Sequence, residues 1–460
     1  MTLDPVFLSR LQFAFVIALH ILLPAFTVGL ASFIVLVEGL HAATRDAVYL
    51  RLSVFWTRMF AVSFGMGVVS GIVMPFQFGT NWSRYSDDVA NVLGPLFAYE
   101  GLVAFFLEAG FLGILLFGRK LVPPWMHFVA ALMVALGTLF SSFWILSANS
   151  WMQTPAGYTI VDGRFMPQSW LAIIFNPSFP YRLAHTVTAF YLTTAFTVLG
   201  VSAWHLRHGR NVDVSRRALS MTVVFVAIFV PIQIIVGDLH GLNTLHHQPV
   251  KVAAMEGLWD TGPRAPSVLF AIPDEAHERN RAEIAIPGLA SLYLEHSLDG
   301  VVTGLKSVPA QDRPPVAPVF FAFRAMVGLG LLMLATAWWG LWLRWRGRLF
   351  DTPAYLRACT TMTPVGFIAV IAGWVVTEVG RQPWVVYGLL RTDDAVSPSL
   401  TGGDVVISLA LYVAVYAVVF GAGLVYMLRL AKAGPPEHVE ARDAQLSERP
   451  ARPLSGADAF

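Results

Sequence analysis

The chain has 460 residues, of which 56% are hydrophobic and 13% are charged, and its formal net charge is +2. A mean hydropathy of +0.62 lies far above the range of soluble globular proteins, so the composition indicates an integral membrane protein. The small net charge argues against nucleic-acid binding. The single cysteine, Cys359, excludes an internal disulfide, a c-type haem attachment and a cysteine-ligated cluster.

Crossing the hydrocarbon core of a bilayer takes about 20 apolar residues. Nine segments meet this requirement, which predicts an all-α integral membrane protein with nine transmembrane helices. The predicted spans are residues 11–38, 52–79, 92–117, 126–147, 181–206, 218–237, 317–343, 361–380 and 405–429. The first segment is too long for a signal peptide and is followed by no convincing cleavage site, so we expect a retained helix.

Lysine and arginine are concentrated in the loops after spans one, three, five and seven and after span nine. Because cytoplasmic loops hold the excess of positive charge, this pattern predicts a periplasmic N-terminus and a cytoplasmic C-terminus. The chain then divides into spans one to six at 1–237, an external loop at 238–316, spans seven to nine at 317–430, and a polar tail at 431–460. The composition of the tail is typical of disorder.

Ionisable side chains and a methionine of the ligand type lie within these apolar segments. A charge at the bilayer centre costs about 2.5 to 3.5 kcal/mol even on the insertion scale, so such residues usually face a cofactor, an ion path or a partner. Counting about 1.5 Å per residue from the outer end of each span places five of them within roughly 15 Å of the outer surface. They are His20, Glu100, His185, Met326 and Glu378.

Imidazole and thioether groups are axial haem ligands, which makes His185 and Met326 a candidate pair. A methionine in an apolar helix is more often a packing residue, and Glu378 could instead form a structural ion pair with Arg381. The same alternative applies to Glu100 with Arg324.

Glu108 follows Glu100 on nearly the same helical face and lies toward the cytoplasmic half. It has no basic neighbour in its own span, which favours a proton relay over a structural role. A proton-coupled transporter without iron, or a structural or assembly subunit, would be the competing classes. A haem-copper oxidase needs several intramembrane histidines and is disfavoured, because only His20, His127 and His185 qualify, and His127 is expected at the cytoplasmic interface.

Seven segments, in this order along the chain, resemble subunit I of the cytochrome bd quinol oxidases, including the cyanide-insensitive branch. They are SRLQFAFVIALH (9–20), AYEGLVAFFLE (98–108), WILSANSWMQTP (144–155), LAHTV (183–187), KVAAMEGLW (251–259), FRAMVGLG (323–330) and GWVVTEVGRQPW (373–384). The resemblance covers all nine spans, and the external loop corresponds to a short form of the family's quinol-binding loop.

The resemblance implies that His185 and Met326 ligate a low-spin haem b, with Arg324 beside its propionates or its iron. It also implies that Lys251 and Glu256, in the external loop, bind quinol.

For the remaining cofactors, the resemblance implies that His20 and Glu378 ligate two high-spin haems, with Glu100 at or next to one iron. One of these haems would be a haem b and the other a haem d or a further haem b. Trp374 would lie between the cofactors, and Arg381 would belong to the cofactor-binding residues. The resemblance leaves open which ligand holds which high-spin haem.

The implied activity is oxidation of quinol on the periplasmic side and reduction of oxygen to water with cytoplasmic protons that pass Glu108, which generates a proton motive force without pumping. The implied location is the bacterial inner membrane, within lipid. The implied partner is subunit II of the oxidase, with a small single-span subunit left open. The choice between ubiquinol and menaquinol, and the degree of cyanide resistance, are left open as well.

Overall fold

A computed structural model of the chain describes residues 4–437 and residue 439. Within this part of the chain, nine helical segments are long and apolar enough to cross a membrane, so the predicted fold class is confirmed. Of the predicted tail, residues 431–433 belong to the last helix. Residues 438 and 440–460 lie outside the described part.

Helices account for all nine spans, and the strands are short. The helices are α1 (Pro5–Thr44), α2 (Ala47–Thr80), α3 (Ser83–Tyr99), α4 (Phe106–Phe117), α5 (Pro124–Gln153), α6 (Trp170–Ile174), α7 (Phe179–Arg207), α8 (Val212–His247), α9 (Pro249–Glu256), α10 (Leu289–Leu294), α11 (Val316–Trp345), α12 (Pro353–Thr361), α13 (Val365–Val379), α14 (Thr392–Ala395) and α15 (Gly402–Ala433). The strands are β1 (Tyr158–Val161), β2 (Arg164–Pro167), β3 (Gly262–Pro263), β4 (Ser267–Asp274), β5 (Arg279–Ile286), β6 (Val301–Val302), β7 (Trp384–Val386) and β8 (Leu390–Arg391). They form four antiparallel pairs, β1–β2, β3–β6, β4–β5 and β7–β8.

The helices extend beyond the predicted spans because a hydropathy window stops at the first polar residues, whereas the backbone hydrogen bonds continue. The clearest case is α8, which was predicted to end at residue 237 and continues to His247. Helix starts are fixed by side-chain caps. Asp4 accepts a hydrogen bond from the Val6 amide at 3.0 Å, and Asp46 accepts one from the Val48 amide at 2.9 Å.

Two spans are not single α-helices. In the third, a π-helical segment, Glu100–Phe105, joins α3 to α4. In the eighth, α12 and α13 are separated at residues 362–364, and Pro364 directly precedes α13. A proline disfavours the helical conformation of the preceding residue, which accounts for the break. The eighth span also starts at Pro353, earlier than the predicted residue 361.

The first helix organises the bundle. It packs against α2, α5, α7, α13 and α15. One apolar core lies between α1, α2 and α5, and a second lies between α7, α8, α11 and α12. The last helix, α15, packs on α1 and α2 and leaves most of its surface exposed.

Loops after the first and fifth spans meet at one end of the bundle. Arg51 forms an ion pair with Asp213, and Arg217 lies 3.4 Å from Asp46. The opposite end carries the loop at residues 248–315. The basic loops therefore lie together, as an orientation set by positive charge requires, and the direction across the membrane stays a prediction.

Candidate functional site

His20 lies in α1 with its ring against α2. Its Nδ1 is 2.9 Å from the Ser70 hydroxyl, and that hydroxyl donates its only proton to the Met66 carbonyl of its own helix at 3.0 Å. With that proton donated within α2, Ser70 is placed to accept the Nδ1–H of His20, in the tautomer that leaves the Nε2 lone pair free, as in a metal-binding imidazole. A Cβ built at Gly71 would lie 3.3 Å from His20 Cε1, so the ring occupies the space of a missing side chain.

His185 lies in the first turns of α7 and faces α8. A Cβ at Gly237 would lie 3.1 Å from His185 Cε1. As at His20, the ring packs closely against the helix because the neighbouring residue is a glycine. Gln233, one turn earlier on α8, donates a hydrogen bond to the His185 carbonyl at 3.1 Å. The ring of His240 lies 5.4 Å from that of His185. Sequence reasoning missed His240 because it follows the predicted end of span six.

Met326 lies in α11 and faces α13. A Cβ at Gly373 would be 3.1 Å from its sulfur. The next residue, Trp374, is partly buried in an apolar cluster that includes Ala25 of α1 and Phe190 of α7. Trp374 is thus positioned where α1, α7 and α13 meet.

The residues present fit an iron porphyrin. Such a group needs an axial ligand, space beside that ligand, and hydrogen-bond donors for its propionates. His20, His185 and Met326 each lie against a glycine of a neighbouring helix. Within residues 4–437, Arg381 Nε and Nη1 and Arg182 Nε are buried and lack a hydrogen-bond partner. The same residues contain no group of three or more His, Cys, Asp or Glu side chains placed to hold a bare metal ion.

Glu378 belongs to a buried polar network that connects α5, α7 and α13. Its Oε2 lies 2.5 Å from Arg381, and its Oε1 accepts a hydrogen bond from the Asn149 amide at 2.9 Å. Arg182 donates to Asn149 at 2.7 Å. The ion pair with Arg381, considered from the sequence as an alternative to iron ligation, is therefore present.

Glu100 and Glu108 both face α5. Glu100 accepts a hydrogen bond from Ser141 at 2.9 Å, whereas the Cγ of Glu108 would be 2.5 Å from a Cβ at Gly137, one turn earlier on α5. Glu100 begins the π-helical segment, and such segments occur frequently at functional sites. Both carboxyl groups are thus aligned along one face of α5.

The short helix α9 carries Lys251 and Glu256, and both side chains are buried. Lys251 Nζ donates to Gln153 Oε1 at 2.6 Å and to the Thr377 carbonyl at 3.1 Å, directly beside Glu378. Burial, reinforced by the positive charges of the neighbouring arginines, lowers the pKa of Lys251 well below its usual value. Burial raises the pKa of Glu256 above its usual value.

Arg324, two residues before Met326, points toward the external loop. It donates hydrogen bonds to the carbonyls of Met255 and Val268 and lies 3.7 Å from the Glu256 carboxylate. Its guanidinium also stacks 3.4 Å above the Phe320 ring. The structure therefore brings Arg324 together with the candidate quinol residue Glu256.

A further buried carboxylate, Glu38 near the end of α1, was missed. It is hydrogen-bonded to Arg119 and Ser53, and its Oε2 lies 3.6 Å from His127 Nδ1. His127 lies in the first turn of α5, and its interfacial depth stays a prediction. Its ring is buried within the protein, and its Nε2 lies 3.1 Å from the Leu115 carbonyl. The sequence did not single out Glu38, because it is the last residue of its predicted span and charged residues are common at span ends.

Comparison with known proteins matches residues 8–435 to the family described as "Cytochrome bd terminal oxidase subunit I". The chain is 36% identical to the cytochrome bd ubiquinol oxidase subunit 1 of Bacillus subtilis (strain 168), over 96% of this chain and 97% of that protein. It is 33% identical to the cytochrome bd-II ubiquinol oxidase subunit 1 of Escherichia coli (strain K12), over 94% and 97%. The structure matches that of the bd oxidase from Geobacillus thermodenitrificans with a TM-score of 0.86 and 29% identity, covering 94% of this chain and 100% of that one.

The fold defines a multi-pass helical protein of the bacterial inner membrane, as predicted. The chain belongs to the family of cytochrome bd terminal oxidase subunit I. The resemblance stated from the sequence is therefore confirmed, and so is the assignment to the oxidoreductases. The individual roles of the site residues are proposals.

Proposed function

We propose that this chain binds and oxidises quinol at its external loop and takes part in reducing oxygen to water, with cofactors held by five ligand residues. These are His185 and Met326 for a low-spin haem b, and His20, Glu378 and Glu100 for a high-spin haem b and a haem d or further haem b. Bound haem would supply reversible one-electron chemistry and an open iron position for oxygen. The names of the relatives, which are ubiquinol oxidases, support this proposal.

The position of α9 is the single observation that carries the proposal. Through Lys251, this helix contacts the carbonyl of Thr377, the residue before Glu378. Through Glu256, it contacts Arg324, two residues before Met326. One short external helix thus joins the two candidate quinol-binding residues to two candidate ligand regions, as electron transfer from quinol requires.

The protonation properties of α9 suit quinol oxidation, which releases protons. The lowered pKa of Lys251 favours a neutral amine that can accept a hydrogen bond or a proton from a quinol hydroxyl. Burial raises the pKa of Glu256, which favours its protonated form over the carboxylate and suits a group that exchanges protons. The released protons would leave on the periplasmic side, which is the side that the charge pattern of the loops predicts for α9.

The protons consumed with oxygen would come from the cytoplasm along the face of α5. Glu108 and Glu100 contact that face one helical turn apart, and Glu108 is the inner of the two. A carboxyl group in a low-dielectric interior can relay a proton in its neutral form. Because the two half-reactions use protons from opposite sides, charge is separated without a pump.

We also propose that the chain works with the oxidase's subunit II, in contact with lipid, and a small single-span subunit stays the open alternative that the resemblance left. The relatives are named as subunit 1, which supports a further subunit. The N-terminus would be periplasmic and the C-terminus cytoplasmic.

Replacing Met326 with leucine tests the proposal, because it removes the thioether and keeps an apolar side chain of similar size. We expect the reduced-minus-oxidised spectrum of the purified complex to lose the six-coordinate low-spin haem b signal, and quinol-dependent oxygen uptake to fall with it. Met333→Leu, in the core on the same helix, is the matched control and should leave both unchanged. A normal spectrum for Met326→Leu would remove the methionine from the ligand set, and a wild-type complex without haem bands would favour the transporter alternative.

A further inference from the structure

The β4–β5 hairpin of the external loop exposes an unusual amount of apolar surface. Five of its side chains are between 44 and 61% exposed, and we call them the hairpin patch: Leu269, Phe270, Ile272, Ile284 and Ile286. A two-stranded hairpin with one face in water normally presents polar residues on that face. Register irregularities on both sides of Phe270 turn the successive residues Leu269 and Phe270 outward together.

The opposite face of the hairpin is already used. Val268 and Ala271 are buried against Phe320 of α11. The Val268 carbonyl accepts a hydrogen bond from Arg324. The hairpin therefore already buries one face against α11. The hairpin patch is a second apolar face, and it is exposed.

The hairpin runs alongside α11 toward the membrane. At its turn, Glu275 accepts hydrogen bonds from the amides of Val316 and Ala317, at 2.9 and 3.4 Å, where α11 begins. At its open end, Val268 reaches Arg324. These two contact points on α11 are separated by about 12 Å of helix, at 1.5 Å per residue. The open end, which carries the patch, is therefore the deeper end.

Ion pairs are concentrated toward the turn of the hairpin, where Asp274 pairs with Arg281, and Glu278 pairs with Arg313 at 2.6 Å. Ile272 is the cross-strand partner of Arg281, and the other four patch residues lie farther toward the open end, where Glu283 is the exposed charge beside Ile284. This distribution matches a segment with one end in water and the other in an apolar medium.

The hairpin patch is also continuous with an exposed apolar side of α11. The Phe270 ring lies 6.4 Å from that of Phe321, which is exposed. Phe321 begins a stripe of exposed apolar residues at helical spacing along this membrane span. The stripe continues through Ala325, Gly328, Leu331, Leu332, Ala335, Trp338 and Trp342.

We infer that the hairpin patch lies in the outer leaflet of the lipid bilayer, at the boundary between headgroups and acyl chains. The backbone at the open edges of a two-stranded sheet needs water or headgroups as hydrogen-bond partners, which excludes the hydrocarbon centre and fits this boundary. The occupant is lipid rather than a protein partner, because the patch extends the membrane-facing stripe of α11. The inference depends on the membrane assignment of α11 and not on the proposed quinol chemistry.

Spin labels on single introduced cysteines test the inference in the complete oxidase reconstituted into phosphatidylcholine and phosphatidylglycerol vesicles. Phe270→Cys and Ile284→Cys report on the patch, and both positions are exposed, so neither change opens the core. Ala276→Cys in the hairpin turn is the control for water, and Leu331→Cys is the control for lipid. Cys359 is buried, and the labelled wild-type complex gives the background.

We expect the labels at 270 and 284 to collide several-fold more often with oxygen, which dissolves in lipid, than with a water-soluble nickel chelate, as at 331. The label at 276 should show the reverse order. Equal preference for the nickel chelate at 270 and 276 would place the patch in water and overturn the inference. Low accessibility to both reagents at 270 and 284 would mean that a protein partner covers the patch, and it would overturn the inference as well.

Discussion

The hydroxyl of Ser70 determines which nitrogen of His20 is available. While its proton is donated within α2, it accepts from the imidazole, and in that tautomer the free lone pair of His20 is on Nε2. An outer hydrogen bond of this kind fixes the orientation and tautomer of a ligand, and its loss typically weakens metal binding by about 10- to 100-fold. Ser70 is thus a positioning residue for His20.

Ser70→Ala should therefore reduce the occupancy of the haem proposed to bind at His20. The measurement is the haem-to-protein ratio and the absorption spectrum of the purified complex. Ser63→Ala is a close control, because Ser63 is also buried in α2 and its hydroxyl bonds only to carbonyls of its own helix, at 3.0 and 3.1 Å. If both variants retain the same haem content, Ser70 does not position the ligand.

Glu108→Gln should slow steady-state oxygen uptake by at least about tenfold, because glutamine keeps the shape and cannot relay a proton. Haem content should stay near normal, as judged from the spectrum. The exposed Glu283→Gln is the control for neutralising a carboxylate outside the path. Complete loss of haem in Glu108→Gln would make the residue structural.

At the scale of elements, the buried contacts of Glu38 connect α1 to α2, to the segment after α4, and to α5. Removing one member of such a group leaves the others with unsatisfied polar atoms. The ion pair with Arg119 has little exposure on the glutamate side. The exposed pair of Arg164 and Asp87 is the opposite case, since solvent screens it.

Glu38→Ala should destabilise the protein by about 1 to 3 kcal/mol, which a lower temperature of thermal unfolding in detergent would report. Asp87→Ala should change stability by less than about 1 kcal/mol. Similar shifts for the two variants would mean that the Glu38 contacts contribute no more than a surface pair.

The helices that cross the membrane could be predicted because their length follows from bilayer thickness and their composition from the exclusion of water. Their ends could not, since the polar last turns of α8 carry no apolar signal. The π-helical segment was also missed, because the sequence EGLVAF contains no proline and resembles any apolar helix. The break before Pro364 had a signal in its proline, which the long hydropathy window averaged out.

The candidate ligands could be selected because ionisable groups are rare in apolar spans. Their neighbours could not be selected, because the contacts are long-range in sequence. The distance from Lys251 to Gln153 and the direction of Arg324 depend on how α9 packs between α5, α11 and α13. Glu38 and Arg119 are likewise far apart in sequence, at the ends of two different spans. Charged residues are common at span ends, so their charge alone does not indicate a buried contact.

At the scale of the molecule, the two ends of the bundle differ in charge and in loop length, and this asymmetry predicts the orientation. Arg348→Cys lies in a basic loop and Ala276→Cys in the external hairpin turn, and both positions are exposed. A membrane-impermeant maleimide added to intact spheroplasts should label position 276 and not position 348. Permeabilised cells provide the control, in which both should react. Labelling of 348 alone in intact spheroplasts would invert the topology.

The contacts of α1 also have a consequence for biosynthesis. This helix is translated first, yet its neighbours α7, α13 and α15 leave the ribosome much later. Of the two residues proposed to hold the low-spin haem, His185 is made in the first half of the chain, whereas Met326 and the glycine against it follow after two thirds of it. A pocket that needs both residues cannot close cotranslationally around its first ligand, so a haem held by this pair would have to enter a nearly finished polypeptide.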